Sequence, residues 1–355
     1  MTLHLLDNLN NGLETWLAEH SEPRFRAAQI RQWLFENRAN DFDEMTNLSK
    51  SLREQMAIDY SIWNTTVAKS HTAADGTEKL LVEMSDGHRI ECVLLREEDR
   101  RTICISTQVG CAMGCVFCAS GIGGVERNLT TGEIVEQMLR LQRLLPKDER
   151  LSHIVVMGMG EPLANVDRLL PALEFASDPK GLGISPRRIT ISTVGLPPAM
   201  DKLTARQSKY HLAVSLHAPH DDLRNRLVPV NESIGVTKIM EAADRYFEAS
   251  GRRLTFEYVL LDKENDQPEH AQALGALLRG RPAMLNIIPY NPVDGLPYRT
   301  PSREALRQFR EILENAGINV MVRQRKGDKI NAACGQLRRD SASEPLLVQP
   351  TLKPN

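Results

Sequence analysis

From residue 102 onward, the sequence alternates strand-like apolar runs with helical segments. The strand-like runs are Thr102–Thr107, His153–Gly158, Arg188–Thr193, His211–Leu216, Leu254–Leu261, Met284–Pro289 and Ile318–Val322. Helical patterns separate most of them, at Thr130–Leu145, Val236–Ala249, Pro268–Leu278 and Ser302–Ala316. Strands that are apolar throughout and are joined through helices predict a parallel sheet with right-handed crossovers. The sequence therefore predicts an α/β fold, a partial or full (βα) barrel of the TIM type.

The rest of the chain divides into smaller parts. Short helical patterns at the N-terminus predict a helical accessory domain, in which Asn47 is positioned to cap the third helix. Alternating apolar and polar residues follow, interrupted by Asp75-Gly76 and Asp86-Gly87, and they predict a β-hairpin module that links this domain to the barrel. The polar C-terminal segment predicts a disordered tail. The predicted boundaries are 1–60 for the helical domain, 61–97 for the hairpin module, 98–340 for the barrel and 341–355 for the tail.

Composition excludes several classes of protein. The 355 residues are 41% hydrophobic and 25% charged, which is typical of a globular protein with one large domain and a smaller part. No stretch reaches about 18 uncharged apolar residues, so we expect no membrane span. The N-terminus lacks the basic-then-apolar pattern of a secretory signal. The six cysteines do not resemble a disulfide framework, and the sequence therefore predicts a reducing, cytoplasmic location.

Three cysteines lie within eight residues, directly after the first predicted barrel strand. Cys111, Cys115 and Cys118 have the spacing Cys-x3-Cys-x2-Cys. Cubane iron–sulfur clusters are held by cysteine thiolates and normally have four, so three ligands leave one iron open. An open coordination position is typical of a catalytic metal, and barrel enzymes bind substrates at this end of their strands. The triplet therefore predicts a catalytic [4Fe–4S] cluster; a zinc site completed by Cys104 or a distant histidine is the alternative.

Polar residues also follow the later predicted strands. They are Gly160 and Glu161 after the second strand, Ser192 at the end of the third, Ser215 and His217 at the fourth, and Asn291 after the sixth. Each of them alone is more typical of a turn or a cap. The carboxyl ends of parallel barrel strands meet at one mouth, so the set together predicts a ligand-binding site there.

The cysteine spacing, with Phe117 before the last cysteine, is the signature of the radical S-adenosylmethionine (SAM) superfamily. Longer motifs resemble the RlmN/Cfr family of radical SAM RNA adenine methyltransferases, and its RlmN branch most. These motifs are Gln108–Ala119, Arg127–Thr130, Met157–Asn165, Ser215–Pro219, Asn225–Asn231, Ile288–Pro292 and Lys326–Leu337. Arg24–Ile30 and Phe42–Ser49 resemble the family's helical accessory domain. The resemblance extends from about residue 20 to about residue 340.

The resemblance implies a role for each matching residue. The cluster ligands would be Cys111, Cys115 and Cys118. The SAM contacts would be Gly160, Glu161, Ser192, Ser215, Leu216, His217 and Asn291. The catalytic residues would be Cys334, Cys104 and Glu91. Without the resemblance, Cys104 in its apolar strand is more typical of a small buried residue, and Glu91 of a solvent-facing one.

The implied reaction is indirect, because a ring carbon of adenine is too electron-poor to attack the methyl group of a sulfonium. Cys334 takes a methyl group from one SAM as a thiolate nucleophile. A second SAM is cleaved to a 5′-deoxyadenosyl radical, which removes hydrogen from that methyl group, and the carbon adds to adenine. Glu91 then takes the ring proton. Cys104 attacks Cys334, which leaves a disulfide bond and releases the methylated base.

The implied substrate is structured RNA: 23S ribosomal RNA methylated at carbon 2 of an adenosine, with transfer RNA as a second candidate. A Cfr-like methylation at carbon 8, which confers antibiotic resistance, is the alternative within the family. A non-catalytic iron–sulfur electron carrier or RNA-binding metal module is the alternative from another class. The resemblance also implies an electron donor such as flavodoxin or ferredoxin, and we expect a monomer.

Charge supports an RNA partner only locally. The formal net charge of the chain is −2. Residues 318–340 nevertheless contain six arginines and lysines against two aspartates, a balance of +4, and they surround Cys334. The six basic residues are Arg323, Arg325, Lys326, Lys329, Arg338 and Arg339. Such contacts to phosphate position RNA without reading its sequence, although a solvated charged face is the plainer interpretation.

Overall fold

The computed structural model of the protein describes residues 2–323 and 330–337. The strands in these residues are β1 (Leu3–His4), β2 (Tyr60–Ser61), β3 (Thr65–Thr72), β4 (Glu78–Met84), β5 (Arg89–Arg96), β6 (Arg101–Cys104), β7 (Gln108–Gly110), β8 (Val125–Asn128), β9 (His153–Val156), β10 (Ile189–Thr193), β11 (His211–Ser215), β12 (Leu254–Leu260), β13 (Ala283–Pro289) and β14 (Asn319–Val322). The α-helices are α1 (Asn11–Glu19), α2 (Phe25–Phe35), α3 (Lys50–Asp59), α4 (Thr131–Gln142), α5 (Val166–Ser177), α6 (Pro197–Ala205), α7 (Asp221–Leu227), α8 (Val236–Ser250), α9 (Pro268–Leu278) and α10 (Arg303–Asn315).

A ten-stranded sheet organises the described residues. Its strand order is β14-β13-β12-β11-β10-β9-β6-β5-β4-β3. Strands β6, β9, β10, β11, β12, β13 and β14 pair in parallel, whereas β5, β4 and β3 continue the same sheet in antiparallel pairs. Strands β7 and β8 form a separate antiparallel pair. Within the described part of the chain, the edge strands β3 and β14 do not pair with each other. The predicted α/β fold is therefore confirmed, and the barrel is partial.

The pair β12 and β13 shows why the apolar runs become central strands. Phe256, Tyr258, Leu285 and Ile287 are fully buried, and the two strands pair in parallel along their whole length. Helix α10 covers them with Phe309, whose ring centroid lies 5.3 Å from that of Tyr258. Burying one such aromatic side chain contributes about 1.5–3 kcal/mol to stability. Apolar side chains on the face that α10 covers thus fix these strands inside the molecule, while Glu257 and Asn286 alternate onto the opposite face.

Helix α4 begins as the sequence predicts, and helix α3 does not. Thr130 and Glu133 form a reciprocal capping box at the start of α4. At the start of α3 the cap is Ser49, whose hydroxyl accepts a hydrogen bond from the backbone N–H of Leu52 at 3.2 Å. The prediction that Asn47 caps this helix is wrong, because the Asn47 side-chain oxygen accepts a hydrogen bond from the Trp33 indole at 2.6 Å.

The N-terminal segment is docked on helix α4. Strand β1 pairs in parallel with β2, so the two ends of the helical region lie together. The backbone N–H of Gly132, in the first turn of α4, donates to Asp7 Oδ1 at 2.6 Å. A Cβ at Gly132 would lie 2.5 Å from His4 Nδ1, so this close approach needs glycine. One hydrophobic core extends from α1–α3 into the barrel, and the domain boundaries at residues 60 and 97 stay predictions.

None of the helices in the described ranges combines the length and the apolar character that a bilayer span requires. The predicted tail, residues 341–355, lies outside the described residues.

Candidate active site

A cavity opens where the carboxyl ends of the parallel strands meet. Its volume is about 910 Å³, including the part open to solvent. Ten of the thirteen predicted site residues line it: Cys111, Cys115, Cys118, Gly160, Glu161, Ser192, Ser215, His217, Asn291 and Cys334. The fold therefore brings together residues that lie more than two hundred positions apart in the sequence.

The three cysteines lie on a tightly folded loop after β7. Gly110 has a φ of +79°, and a Cβ there would lie 2.1 Å from the carbonyl oxygen of Gly124. Only glycine allows the two backbone segments to approach this closely. The backbone N–H of Cys111 donates to the same Gly124 oxygen at 2.9 Å, and that of Cys118 donates to the Cys115 carbonyl at 3.1 Å. These bonds fix the loop on which the thiols stand.

Burial is the main influence on the three thiols. It raises the pKa of Cys111 to about 12 and also raises the pKa values of Cys115 and Cys118. Charge on the neighbouring thiols raises the pKa of Cys115 further. Three desolvated thiols can ionise together only beside a compensating cation, so they suit a thiolate-binding metal group.

The arrangement of the three thiols fits a cluster better than a single ion. In residues 2–323 and 330–337, no three potential ligands are placed to hold one metal ion. In a cubane cluster each cysteine binds a different iron, so its sulfur ligands stay apart while facing one space. Cys111, Cys115 and Cys118 do face one cavity. The predicted cluster therefore fits these residues, and the zinc alternative gains no support.

Glu161 shapes the loop after β9. Its backbone N–H donates to Gln108 Oε1 at 2.8 Å, and its carboxylate oxygens accept from the N–H groups of Leu163 at 3.0 Å and Val194 at 2.9 Å. Burial raises the pKa of Glu161, and these bonds partly oppose the rise. Gly160, with a φ of +102°, turns the chain beside it. The loop thus presents backbone polar groups to the cavity at a fixed position.

Residues from β10 and β11 form the next part of the wall. The hydroxyl oxygens of Ser192 and Ser215 lie 3.1 Å apart. His217 Nδ1 accepts a hydrogen bond from the backbone N–H of Val259 at 3.1 Å, and burial lowers the pKa of His217 to about 3. Its ring is therefore neutral near pH 7. The Phe117 ring meets it edge-on, with centroids 5.0 Å apart, and links this wall to the cysteine loop.

Two buried oxygens in the cavity wall have no hydrogen-bond partner among the described residues. They are Asn291 Oδ1 and Glu257 Oε2. A buried polar atom without a partner costs about 1–3 kcal/mol, so both atoms indicate a bound ligand. Burial raises the pKa of Glu257, while Arg323 and a hydrogen bond from Asn286 lower it. Glu257 was missed from the sequence, although it is the one charged residue in the run Leu254–Leu261.

Cys334 stands in the same cavity as the cysteine triplet. Arg323 Nη1 lies 3.7 Å from the Cys334 sulfur, and Asn291 Nδ2 donates to the Cys334 carbonyl at 3.2 Å. The backbone N–H of Ala119 donates to the Gly335 carbonyl at 2.8 Å, which ties the two cysteine loops together. The other five basic residues of the predicted positive segment lie outside the described residues.

Three predicted site residues do not line the cavity. Leu216 is fully buried between two residues that do. Cys104 is also buried; burial raises its pKa to about 12, and the charge of nearby Cys334 contributes to the rise. Glu91 is buried in an ion pair with Lys79 at 2.6 Å. All six cysteines are free thiols, so the structure does not support the predicted disulfide bond.

Comparison with known proteins extends over nearly the whole chain. It is 64% identical over 337 residues to the probable dual-specificity RNA methyltransferase RlmN of Rhodopirellula baltica, covering 95% of this chain and 91% of that protein. It is 44% identical over 333 residues to the Bacillus cytotoxicus protein of the same name, covering 94% and 92%. A crystal structure of a radical SAM methyltransferase from Sphaerobacter thermophilus superimposes with a TM-score of 0.92 at 43% identity, covering 95% and 99%.

The partial barrel, the thiolate triplet and the polar cavity define a radical SAM enzyme. Residues 105–274 match the radical SAM superfamily, and residues 3–62 match the ribosomal RNA large subunit methyltransferase N-terminal domain. The chain belongs to the RlmN family of RNA methyltransferases. It is a SAM-dependent RNA methyltransferase that uses a [4Fe–4S] cluster. The non-catalytic alternative is therefore wrong.

Proposed function

We propose that the protein methylates carbon 2 of an adenosine in 23S ribosomal RNA, with transfer RNA as a second substrate, through an S-methylated Cys334. The observation that carries this proposal is the position of Cys334, in one cavity with Cys111, Cys115 and Cys118 and beside the guanidinium of Arg323. The names of the relatives support the dual RNA specificity.

The cavity offers separate sets of residues to the two cofactors. Cys111, Cys115 and Cys118 would hold the cluster. SAM would contact Gly160, Glu161, Ser192, Ser215, His217 and Asn291, which line the cavity, and buried Leu216 would hold Ser215 and His217 in place. Together the bound groups supply a methyl group and, after reduction, a 5′-deoxyadenosyl radical. Asn291 suits this role because its Oδ1 has no partner among the described residues, while its Nδ2 donates to the Cys334 carbonyl.

The surroundings of the two remaining cysteines give them different roles. The charge of Cys334 is the main cause that raises the pKa of Arg323. The Arg323 guanidinium Nη1 lies 3.7 Å from the Cys334 sulfur, so a cation faces the sulfur that would take the methyl group. Burial raises the pKa of Cys104 to about 12, so Cys104 stays a thiol and does not compete for the methyl group. We therefore assign the methyl group to Cys334 and the later attack on the Cys334 sulfur to Cys104, which forms the disulfide and frees the base.

Glu91 would accept the ring proton before Cys104 acts. Its carboxylate is buried and lies 2.6 Å from the Lys79 ammonium, and an opposite charge this close favours the carboxylate form that a base requires. An adenosine in folded RNA would have to be turned out of its stack to reach these residues. We further propose that a flavodoxin or ferredoxin supplies the electrons and that the protein acts as a monomer in the cytoplasm.

Mass analysis of nucleosides from RNA treated with the reconstituted protein tests the proposed product. We expect 2-methyladenosine in 23S ribosomal RNA fragments and in transfer RNA, together with 5′-deoxyadenosine. An 8-methyl product would contradict the assigned carbon, and unmethylated RNA would contradict the function.

The two buried cysteines of neighbouring strands provide a matched pair of variants. Cys104→Ala should trap a covalent adduct between Cys334 and RNA, because nothing then attacks the Cys334 sulfur. Cys92→Ala removes another fully buried thiol, on β5, and should turn over without an adduct. Normal turnover by Cys104→Ala would remove Cys104 from the reaction.

A further inference from the structure

A buried lysine joins Glu91 to the loop that carries Cys334. Lys79 is 6% exposed, and its Nζ lies 2.6 Å from Glu91 Oε1. The same Nζ donates to the carbonyl oxygen of Asn331 at 3.2 Å, three residues before Cys334. Lysine is almost never this buried unless it is paired. The ammonium therefore bridges two segments to which the proposed reaction assigns different tasks.

The register of β4 and β5 produces this contact. Leu81 stands opposite Glu91, and Lys79 stands opposite Val93. Lys79 is thus the diagonal neighbour of Glu91 on one face of the sheet, close enough for a long side chain to reach. No spacing in the sequence shows this pairing, because it depends on how the two strands align.

Fold stability alone does not explain the presence of a buried ion pair between Lys79 and Glu91. Removing two charges from water offsets most of their attraction, and well-packed apolar residues often serve stability equally well. The pair does preserve an ionised carboxylate in a buried place, because burial by itself would favour the neutral acid. A neutral carboxylic acid is far too weak a base to take the ring proton, whereas a carboxylate can accept it.

We propose that Lys79 is a positioning residue for the methyl transfer: it keeps Glu91 as a carboxylate and ties it to the Cys334 loop. The inference rests on the proposed roles of Glu91 and Cys334. In the proton-transfer step the C–H bond of the ring breaks, its electron pair stays in the ring, and an O–H bond forms between the proton and the Glu91 carboxylate. The pair then changes from neutral to a net charge of +1, and Lys79 keeps the Asn331 carbonyl as a hydrogen-bond acceptor.

Four variants of the reconstituted holoenzyme test this inference: Lys79→Met, Lys79→Arg, Glu91→Gln and the double variant Lys79→Met/Glu91→Gln. Cys334 methylation, 5′-deoxyadenosine, the covalent RNA adduct and free methylated adenosine are measured separately. For Lys79→Met we expect the first two within about twofold of the wild type, while product release falls about 100-fold, the scale of a lost general base. The adduct should accumulate. Lys79→Arg, which keeps the cation, should recover to within about tenfold of the wild type.

The double variant separates coupling from general damage. If Lys79 acts through Glu91, Lys79→Met/Glu91→Gln should release product no more slowly than Glu91→Gln alone. It also contains no unpaired buried charge, so it should fold even if Lys79→Met does not. Exposed Lys69 on neighbouring β3 gives the control, since Lys69→Met should behave as the wild type.

Several outcomes would overturn the inference. Additive losses in the double variant, or no recovery in Lys79→Arg, would show that Lys79 does not act through Glu91. Loss of Cys334 methylation together with cluster content in Lys79→Met would indicate a purely structural role. Failure of the proposed function appears differently, because the wild type itself would then lack S-methylated Cys334 or methylated adenosine.

Discussion

Two buried polar regions differ in how far the chain itself satisfies them. The first, the N-terminal ion cluster, consists of His4, Asp7, Thr65, Glu136 and Arg140. Glu136 Oε1 accepts hydrogen bonds from the Thr65 hydroxyl at 2.5 Å and from Arg140 Nη2 at 2.8 Å. Glu136 Oε2 forms an ion pair with His4 Nε2 at 3.2 Å, so this nitrogen lies against an opposite charge even though the contact lacks hydrogen-bond geometry. Each charge in this cluster lies against an opposite charge or a donor.

The second region is the cavity at the carboxyl ends of the strands. Here Asn291 Oδ1 and Glu257 Oε2 have no partner in the described part of the chain, and the three half-buried triplet cysteines face one cavity. Glu136 in the first region and Glu257 in the second are both buried, so burial does not distinguish a structural cluster from a binding site. The two regions differ in the source of the group that pairs with each buried polar atom. In the ion cluster the protein supplies it, whereas in the cavity a bound ligand would supply it.

The largest expected effect comes from changing cysteines within the cavity. Cys118→Ala and Cys334→Ala should both abolish RNA methylation. Cys118→Ala should also lose the cluster, because the remaining two thiolates hold it poorly. Cys334→Ala should keep full cluster content, which iron and sulfide analysis with visible absorption would measure. Loss of the cluster in Cys334→Ala would make Cys334 a ligand and contradict the proposed methyl carrier.

A pair of glutamate variants compares the two regions directly. Glu136→Gln leaves His4 and Arg140 without their shared counter-charge and should lower the free energy of unfolding by about 3–5 kcal/mol. Glu257→Gln removes a charge that the protein only partly compensates, so it should change that free energy by less than about 1 kcal/mol. It should instead weaken SAM binding. Urea denaturation and calorimetric titration measure the two quantities, and equal destabilisation by both variants would contradict the comparison.

The N-terminal ion cluster also predicts a dependence of stability on pH. Burial alone lowers the pKa of His4, but Asp7 and Glu136 raise it from 6.5 to about 9. Because the pKa is raised in the folded state, this stabilisation is complete below about pH 6.5 and is lost as the pH rises through about 9. We expect a loss on the order of 2 kcal/mol across that range. His4→Gln should flatten the profile, and an unchanged profile would exclude His4 as its source.

The parallel strands could be predicted because each of them is a continuous apolar run in the sequence. It missed α5, α6 and α7 for local reasons: Pro171 lies inside α5, two prolines begin α6, and α7 has seven residues. Interior prolines and short segments obscure the helical pattern. The motif residues of the cavity were predicted individually, since each follows a strand. The distances between these residues could not be predicted, because they depend on how the sheet curves.

Contacts between side chains on neighbouring strands could not be predicted for the same reason. The pair of Lys79 and Glu91 depends on the register of β4 and β5, and Glu257 has a polar role only because its strand faces the cavity. Asn47 is a different case. Asparagine commonly caps helices, but the side chain of Asn47 accepts a hydrogen bond from Trp33 instead. Local signals therefore identified the elements and the chemistry, while tertiary alignment decided which residues meet.

The smallest expected effect concerns charges that are neither buried nor part of the cavity. On helix α10, Arg307 pairs with Glu304 at 2.5 Å and with Glu311 at 2.7 Å, but its side chain is 58% exposed. Water and salt screen such pairs, so Arg307→Ala should change the free energy of unfolding by about 0.5 kcal/mol or less. Methylation should be unaffected. The same urea titration would measure both variants. If Arg307→Ala destabilised the protein as much as Glu136→Gln, then burial of the counter-charge would not explain the stabilising effect of the N-terminal ion cluster.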